Sequence, residues 1–292
     1  MRLAAGALVL AACSSATREG SPGPRPADDD DRPGAVAEAP PPGERGREIR
    51  YSAVPQSRFR IERFDTVLVQ LPDSTTQSQI FTRTAWLTAS TEDADSGFRA
   101  TFVLDSLEVR GPMQASAAAA LDSARGTRWT ARVAPNGVLT AVTADRRSEV
   151  GDQLGALLQL LFPILPGESV RAGASWSDTT DVPTRVDLFE VREHATTQHL
   201  AMSPVVRGGG TVLPIQADAS FRQTGTMTRM GQGLEMEATG NRRFTHYLRL
   251  DGLPAGLEGT EKSDVTVLVS AVGQSIRAQR SAGVRVTPLP AR

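Results

Sequence analysis

The pattern of this 292-residue chain predicts a mainly β, α+β protein. One large curved antiparallel sheet of about ten to twelve strands would pack on one principal apolar helix. Three observations predict it. From Tyr51 onward, apolar residues recur at every second position, the period of a strand with one buried face. The runs are separated by short Gly-, Pro-, Asn- and Asp-rich turns, which favour antiparallel hairpins. Only Ser148–Phe162 has helical spacing and a strong stripe: Val150, Leu154, Leu157, Leu158 and Leu161 share one face.

Phe59, Ile61, Val67, Val69 and Leu71 share parity, interrupted by Arg63 and Asp65, so a long strand with a bulge is expected first. After Pro72-Asp73-Ser74, Phe81, Ala85 and Leu87 form a second set. Phe98, Ala100, Phe102 and Leu104 form a third. Ala115–Ala124 is alanine-rich without a good stripe, and reads as a short helix or a loop insertion. Trp129, Ala131 and Val133 run into Pro135-Asn136-Gly137, whose Asn-Gly supplies the positive φ of a hairpin turn. Val138–Thr143 returns to the helix, and Pro163 and Pro166 end it.

Beyond the helix, Val186–Leu200 is one strand or two, and Gly208-Gly209-Gly210 is a break. Leu213, Ile215, Ala217, Ala219 and Phe221 alternate, with Pro214 suited to an edge or a strand start. Phe244, His246, Leu248 and Leu250 face one way. Val265, Val267 and Val269 are expected to pair across Gly273 with Ile276 and Ala278, and Val284 and Val286 close the chain.

The N-terminus bears on compartment. Met1-Arg2 is a minimal basic start and Leu3–Ala12 a short apolar run, below the roughly 20 residues a spanning helix needs. It ends in Leu10-Ala11-Ala12-Cys13, which resembles the lipobox of bacterial lipoprotein signal peptides. The resemblance implies a signal peptide at 1–12 and lipid attachment at Cys13. Several acyl chains would give stable membrane anchoring, which one chain does not. Ser14 after the cysteine resembles outer-membrane sorting. The alternative is an ordinary secretory signal cut after Ala16. Residues 13–50 read as a disordered tether, rich in Pro and Gly, with Asp28–Asp31 a solvated spacer. A single β-rich domain at 51–292 follows.

The middle of the chain resembles uncharacterised bacterial lipoproteins at Pro135-Asn136-Gly137-Val138, Leu157–Pro166 and Gly173–Trp176. The wider architecture is similar to the half-barrels of the lipoprotein carrier LolA and of LppX, where a curved sheet covers helices and an apolar cavity. That likeness implies a half-barrel with a cavity at Leu154, Leu157, Leu158, Leu161 and Trp176. The same stripe also reads as a plain core element.

Charge and composition narrow the chemistry. With 32 basic and 33 acidic residues there is no electrostatic case for nucleic acid. Cys13 is the single cysteine, so neither a disulfide nor a cysteine-ligated zinc site is expected in the domain. Gly173-Ala174-Ser175-Trp176-Ser177 nearly spells a nucleophile elbow, but its last glycine is replaced and the helix precedes it. His194 and His199 are five apart, so a strand sends them to opposite faces; they read as two surface histidines. Gly208-Gly209-Gly210-Thr211 lacks the P-loop lysine. No cofactor and no metal are expected. The reading is a non-enzymatic lipoprotein of the bacterial envelope, a binding or structural module at the outer membrane facing the periplasm, with a lipid or hydrophobic ligand. Its alternatives are a serine hydrolase using Ser175 and a scaffold recruiting an envelope protein partner.

Overall fold

A computed structural model describes residues 49–53, 56–71, 75–111, 121–146, 148–167, 170–186, 189–229, 232–271 and 273–290. All belong to one compact unit, Arg45–Arg292. The residues of the expected signal peptide, Cys13 and nearly all of the tether lie outside them, as do 115–120 of the alanine-rich stretch; 121–124 form a helical turn.

Among the described residues the protein is mainly β, one antiparallel sheet of twelve strands. A first meander comprises β1 (Ser57–Gln70), β2 (Thr76–Ala94), β3 (Gly97–Arg110), β4 (Arg128–Val133) and β5 (Leu139–Ala144). A helix, α1 (Glu149–Gln159), follows. The second meander comprises β6 (Ser175–Val186), β7 (Phe189–Ala201), the short β8 (Val205–Arg207), β9 (Gly210–Arg229), β10 (Gln232–Arg249), β11 (Pro254–Val269) and β12 (Gln274–Leu289). The spatial order is β5-β4-β3-β2-β1-β12-β11-β10-β9-β7-β6, with β8 paired beside β9. The last strand therefore lies against the first, and β5 and β6 are the two ends. α1 connects these ends in sequence and touches both.

The period-two runs explain the ladders. Val265 and Val267 lie opposite Ala278 and Ile276 in a hairpin across Gly273, as expected, while Val269 lies opposite Gln274. Gly137 takes φ +89°, and a side chain there would meet the Tyr51 ring and the Pro163 carbonyl oxygen, so the Asn-Gly turn is fixed by close approach as well as by φ. Two expectations change. β1 pairs without a register shift on either side, so Arg63 and Asp65 do not mark a bulge. The irregularity lies in the β2–β3 ladder, where Trp86 faces Ser106 and Leu87 faces Leu104, leaving Asp105 as the extra residue. The segment 186–200 holds the end of β6 and most of β7, which pair antiparallel.

α1 starts at Ser148, whose hydroxyl accepts the Gly151 N–H at 3.0 Å. It ends earlier than the 148–162 expected. The Leu160 and Leu161 N–H groups bond back only three residues, to Leu157 and Leu158, before Pro163. Leu154, Leu157, Leu158, Leu161 and Phe162 are buried with Phe98, Phe102, Leu104 and Trp129. Hydrogen bonds fix the segment. The Trp129 indole N–H donates to the Gly151 carbonyl at 3.2 Å, the Tyr51 hydroxyl to that of Pro163 at 2.9 Å, and the Trp176 indole N–H to that of Ile164 at 2.7 Å. No helix of the described residues is long and apolar enough to cross a membrane.

Candidate functional site

The strands that carry the core also place charge on the helix-packed face. Strand parity puts Arg63 and Asp65 of β1 on the side of Phe59 and Ile61, where water is excluded. The ladders align Asp65 with Ala282, Ala282 with Glu261 and Glu261 with Arg242, a row across β1, β12, β11 and β10. Asp65 is only 1% exposed, yet three guanidiniums reach it: Arg63 at 2.9 Å, Arg83 at 3.0 Å and Arg280 at 3.0 Å. Burial alone would raise the Asp65 pKa. The three arginines outweigh it and hold the carboxyl at about 2.

Arg242 joins this cluster to the second meander. It contacts Glu193 at 2.5 Å and Glu261 at 2.8 Å, and lies 4.1 Å over the Phe221 ring. Burial opposes its charge, but the two carboxylates prevail and raise its pKa. Glu193 also accepts the Gln223 amide at 2.6 Å. Arg83 meets Gln153 of α1, so the helix is tied to the same network. Gly240 keeps the row open, because a side chain there would collide with the Phe221 ring. The network separates the helix-side core from a second buried apolar set that includes Val69, Val191, Leu234, Met236 and Val267.

Histidines form a second cluster on this face. His199 Nε2 donates to the Asp178 carboxylate at 2.5 Å, and its ring stacks on Trp176 with centroids 5.1 Å apart. His246 packs edge-on against Phe244. Burial, aided by repulsion from His199, pushes the His246 pKa down to about 3. The Nδ1 atoms of both rings are buried with no hydrogen-bond partner among the described residues. Of the two residues read as surface histidines only His194 is exposed; His199 is 4% exposed, because pairing with Asp178 across the β6–β7 hairpin lets the ring enter the sheet interior. The signal for this was available in Trp176 and Asp178, two apart and hence on one face.

The residues singled out in the sequence fall as follows. Ser175 is exposed opposite Leu200, while Trp176 and Asp178 point to the other face with His199. Ser175 and His199 are thus on opposite sides of the sheet, while His194, on the Ser175 face, stands opposite Asp181, six residues further along β6. Leu154, Leu157, Leu158 and Leu161 are buried in the core, and Trp176 is half-buried at its margin. Among the described residues no group of three His, Cys, Asp or Glu side chains is placed to hold a metal ion.

An open groove of about 1150 Å³ lies along the sheet ends. Val142 and Ala144 of β5, Asp152 of α1 and Thr184 of β6 line it, together with Val191 and Met236. Glu190, Glu235 and Glu237 add negative charge and Arg192 a positive one. None of the five residues expected to form a cavity lines this groove. Comparison with protein-family models and with curated proteins finds no match for the chain.

Proposed function

We propose that the chain is a lipid-anchored, non-enzymatic envelope protein whose body is a binding or structural module, with a lipid-like ligand held in the groove along β5 and β6. In this reading Cys13 carries the acyl chains, residues 13–50 form the tether, and the body faces the periplasm from the outer membrane. The sheet is a curved half-barrel with α1 across its open side, which fits the contacts of α1 with both end strands. The observation that carries the reading is the groove. Val142, Val191 and Met236 offer apolar surface, and the flanking charges suit an amphipathic molecule.

Two experiments test it. Native mass spectrometry of protein extracted from its own membranes is expected to show a bound acyl-chain lipid besides the covalent anchor. Met236→Trp, which fills the groove, removes that lipid. A body without lipid, or lipid retained in the variant, overturns the ligand. Cys13→Ala is expected to move the protein from the membrane pellet to the soluble fraction, and a product that stays in the pellet overturns the anchor.

A second reading rests on β6. As an end strand it presents one unpaired side over Ser175–Val186, a template for a partner's strand that Pro183 interrupts. In that case crosslinking in the native envelope yields one dominant partner.

A further inference from the structure

The face of the sheet away from α1 carries a site of different character. A bulge inserts one extra residue into β3, so Asp105 and Ser106 both leave the core side, between buried Leu104 and buried Leu107. The opposing β2 residues on that face are Trp86 and Thr88, and the Thr88 hydroxyl donates to Asp105 Oδ2 at 2.8 Å. Bulges of this kind re-aim side chains and recur beside binding sites. Here the result is a groove of about 770 Å³ lined by Trp86, Asp105, Ser106, Arg58, Gln56 and Ser57 among others.

Much of the polar capacity in this groove is unspent. Among the described residues no hydrogen bond or ion pair engages the Arg58 guanidinium, the Gln56 amide or the Trp86 indole N–H, and Asp105 uses one oxygen. Arg60, opposite Trp86 in the ladder, has a buried Nε without a partner. The groove thus combines one large aromatic side chain with planar donors and acceptors, and Arg58 and Asp105 balance in charge. The Arg58, Gln56, Trp86 and Asp105 groups are half-buried or exposed and reach water in the free protein, so a ligand that offers them hydrogen bonds replaces that water directly.

We propose that the Trp86 groove is a saccharide-binding site. A sugar ring offers a C–H face that packs on indole, and adjacent hydroxyls that pair with a carboxylate, a guanidinium or an amide through two bonds at once. An extended peptide fits poorly, because the backbones of β1 and β2 are committed to ladders on both sides and cannot extend the sheet. The proposal is independent of the lipid groove: no residue lines both, and the one strand they share, β12, contributes Leu289 to one and Ser275 to the other, near its opposite ends.

Titration of the purified full chain with N-acetylglucosamine tetramer and, separately, maltotetraose tests it by calorimetry. At least one is expected to bind, and Asp105→Ala, an exposed change that leaves the core intact, weakens that binding about tenfold or more. Trp86→Ala abolishes it and Trp86→Phe retains part. Absence of heat with both sugars at millimolar concentration overturns the proposal. So does binding that is indifferent to Asp105→Ala, or a preference for an extended peptide over both sugars.

Discussion

Lowering the pH from 7 to 5 is expected to destabilise the body through His246. The ring is buried and neutral, and its folded pKa is about 3 against an ordinary 6.5. A proton taken up below pH 6.5 therefore binds the unfolded chain far better than the folded one, so stability falls as the pH drops from 6.5 toward 3. At pH 5 the difference amounts to about 2 kcal/mol, with almost none of it present at pH 7. The window is informative because Asp65, held at about 2, adds its own loss only below the ordinary carboxylate range. Urea unfolding of wild type and of His246→Leu, followed by circular dichroism at pH 7, 6 and 5, measures the effect. The variant is expected to lose most of the slope. If it keeps the full slope, the argument from burial of His246 is wrong.

Two further substitutions probe the interior. Asp65→Asn removes the charge shared by Arg63, Arg83 and Arg280, and is expected to cost about 3–5 kcal/mol, read as a fall in the urea midpoint; an unchanged midpoint would show that the cluster is solvated. Leu158→Ala empties a site with no exposure in the helix-side core and is expected to cost about 2–5 kcal/mol; a loss well under 1 kcal/mol would mean that the stripe lines open space.

What could be read in the sequence was what a single strand encodes. The parity of Val265, Val267, Ile276 and Ala278 indicates the hairpin, though not its register, and Asn136-Gly137 indicates a turn. Arg63 and Asp65 looked like interruptions because the charges that justify burying them sit on other strands: Arg280 and Glu261 lie more than 190 positions away along the chain. A one-dimensional pattern shows one or two charges per strand and not the row they form. Arg63 and Asp65 suggest a bulge in β1 for the same reason, since charged residues on an apolar face resemble a change of parity, and the true bulge in β3 leaves no such mark. His199 reads as a surface residue in the sequence because its partner, Asp178, lies 21 residues earlier. The lining of both grooves comes from several strands at once, and no local stretch announces it.

The seam between β1 and β12 has a consequence for assembly. Arg58 stands opposite Leu289 and Gln70 opposite Arg277, so the two meanders are joined by the two strands of the sheet that are farthest apart in sequence. Each meander consists of hairpins that can zip locally as synthesis proceeds, but the join must wait for the final strand, and so must the Arg280 that completes the clasp on Asp65. Loss of β12 would then leave β1 unpaired on one side and Asp65 with two of its three arginines, turning a short truncation into a failure of the whole body.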